Sequence, residues 1–434
     1  MRLTARLDVD MVAAGAADEV SVLVELTAPT ATGLTRRKPR TLQIVIDRSA
    51  SMRGRLEHAV RAIAAAIDRF DPADNVGVVA FDNGAELIVP AGPCADKAAV
   101  KTALSTLGAG GNTHLSAGYV RGIREARRVA GEAGATLLLI CDGRANEGTA
   151  DVDRLAAVAA EARRHGVVTS TLGWGDDYDE QLLSAIARSG SGNEGFAADS
   201  DAAVALIAGE VDGLLSQTVR AASLLVRVPE HLAGVTVAND LPLATTTDGV
   251  VVELGNLHSG ETRRLVLTLA IPAAGVIGPM DIATLDLSYV DLAGQEKRTV
   301  GIPLRVNVVP AGQAAARVPD PVVRTELVYQ RVQRAKRSAS RHLSAGERDE
   351  ALAELDAATQ LVGSSLDDGL PEALAADLAL EAEELRYATG LVRAGGHSLS
   401  AKYLSMSSSY KSRKRGRDLN RGGQAWQPEK PDAG

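Results

Sequence analysis

The sequence predicts an α/β protein: a doubly wound, mostly parallel sheet domain inserted in or beside a β-sandwich, with a small C-terminal helical domain. Three observations predict it. Between residues 37 and 216, strand-like apolar runs alternate with helix-like stretches of about 10–15 residues, which marks βαβ units. On both flanks, at 1–36 and 217–310, apolar and polar residues alternate with a period of two, as half-buried strands require. From 318 to 395 the spacing lengthens to that of amphipathic helices.

In order, residues 1–36 carry two strands. Leu3, Ala5, Leu7 and Val9 share one face of the first, and Val20, Val22, Val24 and Leu26 one face of the second. Two strands alone are marginally stable, so they need a partner sheet elsewhere in the chain. Residues 42–47 form an apolar strand ending at Asp47, and Leu56, Val60, Ile63, Ile67 and Phe70 then make one helical stripe. Runs at 74–81 and 85–89 flank Asp82-Asn83-Gly84, a hairpin turn. A short helix at 95–104 leads into the glycine-rich loop 108–114, followed by a helix at 115–130. A strand at 136–141, a helix at 151–164 and a strand at 167–172 come next. A helix at 179–188, a short strand at 195–197 and a helix at 201–215 complete the domain. In 217–310, Leu224, Val226 and Val228 mark one alternating strand, and Leu265–Leu269, Leu285–Tyr289 and Ile302–Val308 mark others, between turns rich in Gly, Asp and Asn. Either the sandwich draws strands from both flanks, or it is contiguous with a loosely attached N-terminal hairpin. Residues 318–395 hold three helical stripes, with Ser344-Ala-Gly-Glu347 as a capping box for the middle helix. Residues 396–434, rich in Ser, Gly, Lys and Arg, are expected to be a disordered basic tail.

A chain of 434 residues is long enough for roughly two to four domains. Aromatic residues make up only 3%, so the cores must be built from Ala, Leu, Val and Ile. A net charge of −8 argues against nucleic-acid binding by the folded domains. Cys94 and Cys141 read as buried small residues rather than a disulfide or metal set. The N-terminus lacks the apolar core of a signal peptide, and no run approaches the roughly 18 apolar residues of a membrane span. A cytoplasmic protein without a membrane span is the expectation.

The chemistry gathers at loops that follow strands. Asp47, Ser49 and Ser51 follow the strand at 42–47, Thr113 lies in the glycine-rich loop, and Asp142 ends the strand at 136–141. If those strands are neighbours, two carboxylates and three hydroxyls meet at the sheet edge where ligands usually bind. Oxygen donors of this kind suit Mg²⁺, Mn²⁺ or Ca²⁺ better than Zn²⁺. An ion held largely by neutral hydroxyls is only partly neutralised, and it can accept a carboxylate from another protein. His114, beside Thr113, is either a rim side chain or a contact for a partner or substrate. Trp174, in Gly173-Trp-Gly-Asp-Asp177, belongs either to a docking surface or to local packing.

Asp47-Arg-Ser-Ala-Ser51, Gly110-Gly-Asn-Thr113, Ile140-Cys-Asp-Gly143 and Val79-Ala-Phe-Asp82, in this order, resemble the motifs of von Willebrand factor type A domains with a metal-ion-dependent adhesion site. The resemblance covers residues 37–216 and implies a Rossmann-like fold. It also implies direct coordination of a divalent cation by Ser49 and Ser51. Thr113 would bind directly or through water, and Asp47 and Asp142 through water. Ala50 stands where glycine is commonest and Cys141 where threonine often precedes the aspartate; neither change removes a ligand oxygen. A sandwich beside such a domain is similar to the arrangement in several bacterial and adhesion proteins.

The expected function is therefore metal-dependent docking of an acidic residue of a protein partner. The resemblance points to bacterial proteins that work within an AAA+ ATPase or chelatase-like assembly. The alternatives are a metal-dependent phosphohydrolase using Asp47 and a scaffold with an empty site. Against an enzyme, the chain has no Gly-x-Ser-x-Gly elbow and no Walker-type phosphate loop. The loop after Asp47 also carries Ser49 where a phosphatase would want a second acid.

Overall fold

The structure, a computed structural model, describes residues 1–31, 38–229, 232, 234–367 and 369–416. Its described residues divide into two units, one of Met1–Thr30 with 218–416, the other Ala31–Gln217. The chain opens with β1 (Arg2–Leu7), β2 (Met11–Ala13) and β3 (Asp18–Thr27). Leu3, Val20, Val22, Val24 and Leu26 are buried, as their alternation requires.

The second unit runs β4 (Thr41–Asp47), α1 (Leu56–Ile67), β5 (Asn75–Phe81), β6 (Ala85–Pro93), α2 (Lys97–Ser105), α3 (Leu115–Val129), β7 (Ala135–Cys141), α4 (Val152–Arg164), β8 (Val167–Trp174), α5 (Glu180–Ser189), β9 (Ser191–Ala197) and α6 (Ser200–Leu215). Its sheet has the order β6-β5-β4-β7-β8-β9. β6 pairs antiparallel with β5, and the other neighbours are parallel. Every residue of β4 and β7 is buried, which only strands covered on both faces tolerate. Leu42, Ile44 and Ile46 join a core with α1 and α6. Val45, pointing the other way, meets α3 at Gly122. A Cβ on Gly122 would overlap Cγ2 of Val45, and one on Gly118 would lie 2.5 Å from Cδ1 of Phe81. These two glycines let α3 lie directly on β4 and β5. Asp74 accepts from the Arg40 amide at 2.7 Å, and the Arg40 guanidinium donates to the carbonyl of Gln217 at 2.7 Å. The two ends of this unit are thereby clasped together.

Two strands run longer than the spacing predicts. β8 continues through Trp174, and β9 begins at Ser191 rather than at 195. Ser191 has φ +56°, and a Cβ on Gly192 would overlap the backbone of Thr169. The missing side chain at Gly192 is what allows β9 to approach β8 there.

The first unit resumes with β10 (Gln217–Arg227), β11 (Gly234–Val237), β12 (Leu243–Thr246), β13 (Gly249–His258), β14 (Thr262–Ile271), β15 (Gly278–Asp291) and β16 (Glu296–Val309). Its two sheets have the orders β1-β3-β14-β11 and β12-β13-β10-β15-β16-β2. β3 pairs antiparallel with β14 along its whole length, from Thr27 opposite Thr262 to Asp18 opposite Ile271. The inward side chains of both sheets share one core, from Val22 and Leu267 to Leu224 and Leu285.

The helices are α7 (Ala311–Ala314), α8 (Pro321–Ala345), α9 (Arg348–Asp367), α10 (Glu372–Arg393) and α11 (His397–Arg413). Asp320 caps α8 by accepting from the amides of Val322 and Val323. The capping box expected at 344–347 does not form. Ser344 is still inside α8, donating to the carbonyl of Ser340, and Gly346 ends that helix at φ +82°.

The expectation of disorder from residue 396 is also corrected for 397–413, which form α11; residues 417–434 lie outside the described residues. The polar composition is accommodated by specific partners. Ser400 donates to the carbonyl of Gly396, and Lys411 reaches Glu381 at 2.7 Å. Lys336, fully buried on α8, lies 2.5 Å from Glu381 and 2.9 Å from Glu384. Tyr403 and Ser407 both donate to Glu384. Just beyond the helix, Arg415 pairs with Glu326 at 2.8 Å and stacks 3.7 Å above the Tyr329 ring. Among the described residues no helix is long and apolar enough to cross a membrane.

Candidate metal centre

Parallel pairing of β4 with β7 brings their carboxyl ends together, and with them Asp47 and Asp142. Both carboxylates are fully buried, whereas Ser51 is exposed. Oδ1 of Asp47 accepts from the amide of Ser49 at 2.7 Å, and its Oδ2 from the thiol of Cys141 at 3.1 Å. The hydroxyl of Ser51 donates to Oδ1 of Asp142 at 2.7 Å, and Ser49 Oγ lies 3.0 Å from Ser51 Oγ. The Ser51 hydroxyl is thus backed by Asp142, while Asp47 holds the backbone of Ser49. A hydroxyl that gives its proton to a carboxylate behind it turns its lone pairs outward and becomes a better donor to a cation.

Thr113 reaches the same place from the start of α3. A Cβ on Gly143 would lie 3.3 Å from Ser51 Oγ and 3.6 Å from Thr113 Oγ1, so both hydroxyls border a spot kept clear by the missing side chain. The loop around Thr113 is fixed from several directions. The carbonyl of Gly111 accepts from the amide of Ala50 at 3.1 Å, and that of Asp82 from the amide of His114 at 2.7 Å. Asn146 Oδ1 accepts from the amide of Thr113 at 2.7 Å. Two carboxylates and three hydroxyls therefore converge, all hard oxygen donors, a set that fits Mg²⁺, Mn²⁺ or Ca²⁺. Among the described residues no group of three or more His, Cys, Asp or Glu gathers in a cluster that could hold a metal ion.

Burial pushes the Asp47 carboxyl up to about 6, against the lowering effect of its hydrogen bonds from Ser49. Burial also raises the Cys141 thiol, which keeps it protonated as the donor to Asp47.

Two residues here carry no sequence signal. Arg55 Nη1 lies 2.8 Å from Oδ2 of Asp142, a contact between residues 87 apart. Asn146 stands in a polar stretch that reads as plain loop, 33 residues from the Thr113 it anchors. His114 is half-buried against Gly148, at the rim. Trp174, 1% exposed, belongs to the core with α1 and α6 and not to a surface. Cys94 and Cys141 are both buried and free.

The von Willebrand factor type A domain family matches residues 42–208. The uncharacterized protein sll0103 of Synechocystis is 30% identical over 287 residues, 63% of this chain and 67% of that protein. The uncharacterized protein YfbK of Escherichia coli is 28% identical over 159 residues, 36% of this chain and 28% of its own length. A von Willebrand factor type A structure from Catenulispora acidiphila superposes with a TM-score of 0.71 at 19% identity, covering 93% of this chain and 96% of its own. The ArnB paralog VWA2 from Sulfolobus acidocaldarius gives 0.63 at 17% identity, covering 94% and 98%. At those identities the two structures speak for the fold alone. With the family match across the second unit and a cyanobacterial relative aligned over two thirds of its length, the chain belongs to the von Willebrand factor type A domain family.

Proposed function

We propose that the second unit is a metal-dependent docking module that binds an acidic residue of a protein partner through a divalent cation, Mg²⁺ in the first instance. Domains of this family commonly serve as protein-interaction modules. The observation that carries the metal-dependent reading is the pair of hydroxyls, Ser51 and Thr113, bordering the clear spot at Gly143, with the buried carboxylate of Asp142 behind Ser51. Ser49, Ser51 and Thr113 would hold the ion, and Asp47 and Asp142 would supply its counter-charge. With few anionic ligands the ion keeps positive charge to offer a partner's carboxylate. Against a nucleophile at Asp47 stands its geometry. Both carboxylate oxygens are engaged and none of the residue is exposed, so no substrate has an approach to it. On this reading the chain is not an enzyme.

The test is a thermal melt of dialysed protein with Mg²⁺ or Mn²⁺ against EDTA, with Asp47→Ala alongside. A ligand of the native state at about 100 times its Kd adds roughly 2.7 kcal/mol, so the wild type should melt several degrees higher with metal and the variant should not. No gain in the wild type would sink the docking reading. Phosphoester turnover that disappears in Asp47→Ala would replace it with an enzyme. Capture of a partner that survives EDTA would make the metal irrelevant to docking.

A further inference from the structure

Arg55 belongs to no motif, yet its guanidinium is placed with care. It sits at the residue before α1, its amide bonded to the carbonyl of Met52 at 2.9 Å. Its Nη1 donates to Oδ2 of the fully buried Asp142, while the other oxygen of that carboxylate takes the Ser51 hydroxyl. A second observation places the guanidinium beside a turn. Gly175, just past β8, has φ +81°, and a Cβ there would lie 2.6 Å from Nη2 of Arg55. The guanidinium thus lies between a buried carboxylate and the Gly175 turn, with part of the side chain exposed. Without a cation nearby, a buried carboxylate such as Asp142 is costly, because its lost hydration is not replaced.

We propose that Arg55 is a built-in counter-cation of the site, a positioning residue that holds the Asp142 carboxylate in place when no metal is bound and competes electrostatically with the divalent ion that arrives. The metal half rests on the docking reading above; the ion-pair half does not. Arg55 contributes one fixed positive charge beside the place of a second. It keeps the site assembled without metal and holds metal affinity down, which makes loading reversible.

The full-length chain with Arg55→Met, Arg55→Lys, Asp142→Asn and the Arg55→Met/Asp142→Asn double change tests both halves. In EDTA, Arg55→Met should lower the Tm of its unit by about 3–6 °C, since a partly exposed partner of a buried carboxylate is lost. Arg55→Lys should recover most of that fall. In the Asp142→Asn background, the same methionine should change Tm little, because no buried charge remains to be held. By titration calorimetry, Arg55→Met should bind Mg²⁺ about tenfold more tightly than the wild type, and Arg55→Lys like the wild type. Equal Tm values in EDTA for wild type and Arg55→Met, or an equal fall in the Asp142→Asn background, would overturn the ion-pair half. Equal Mg²⁺ affinity in wild type and Arg55→Met would overturn the competition. Binding by Arg55→Met but not by the wild type would support the counter-cation and remove the docking reading. Binding by neither would end both the competition and the docking reading.

Discussion

Replacing Lys336 by methionine is expected to destabilise the first unit by about 3–5 kcal/mol, a fall in Tm on the order of 10 °C by calorimetry. Lys336 is fully buried on α8, and its ammonium touches both Glu381 and Glu384 of α10. Methionine fills much of the same volume, so the loss isolates charge rather than packing. Lys411 of α11 still reaches both glutamates, but it is the more exposed of the two lysines. A fall of only a degree or two would mean that Lys411 and water compensate for Lys336.

The same cluster sets a pH dependence. Burial pushes Glu381 and Glu384 up, but Lys336 and Lys411 pull both below the usual carboxylate range. Groups whose pKa is depressed on folding stabilise the fold above their unfolded pKa, and that stabilisation is lost as the pH falls. The first unit should therefore lose Tm progressively as the pH drops below about 4.5, the ordinary glutamate value. The gap between wild type and Lys336→Met should narrow over the same range, because protonated glutamates no longer need a counter-charge. A gap independent of pH would assign the Lys336 effect to packing.

Replacing Gly122 by valine is expected to lower the Tm of the second unit by roughly 6–12 °C, equivalent to about 3 kcal/mol of overpacking. The side chain would enter the space of Cγ2 of Val45 and press on Leu137, both on fully buried strands. Valine gains a few tenths of a kcal/mol of helix propensity over glycine, far too little to reverse the sign. The helix must rise from the sheet to relieve the clash. Because α3 begins at Leu115, two residues after Thr113, lifting it should also draw Thr113 from Ser51 and reduce the Mg²⁺-dependent gain in Tm. A folded Gly122→Val protein with an undiminished Mg²⁺ response would show that Thr113 does not depend on the seating of α3.

The motif residues could be read from the sequence because they obey a rule of placement. Apolar strands such as 42–47 and 136–141 are recognisable by themselves, and in parallel neighbours their last residues must fall at one edge. Asp47, Ser49, Ser51 and Asp142 are hydrogen-bonded neighbours for that reason, with Thr113 across Gly143. Arg55 and Asn146 could not be read because their roles depend on contacts between distant residues that no local pattern encodes. The capping-box pattern at 344–347 misled because Gly346 is the stronger signal: glycine in a left-handed conformation ends a helix at little cost. The C-terminal helix was hidden by composition. Serines and lysines argue against burial only until their carboxylate and carbonyl partners are known, and those lie on α10 and within α11 itself.

The pairing of β3 with β14 has a consequence for how the chain comes to be folded during synthesis. The hydroxyls of Thr27 and Thr262 lie 3.3 Å apart across the sheet, yet 235 residues separate them along the chain. At about 5–20 residues per second, a ribosome needs on the order of 10–50 s to deliver the second after the first. Every strand of the second unit, from Thr41 to Ala197, emerges within that interval. The second unit can therefore fold while the first strands of the chain are still waiting, their edges open, for the neighbour that completes them.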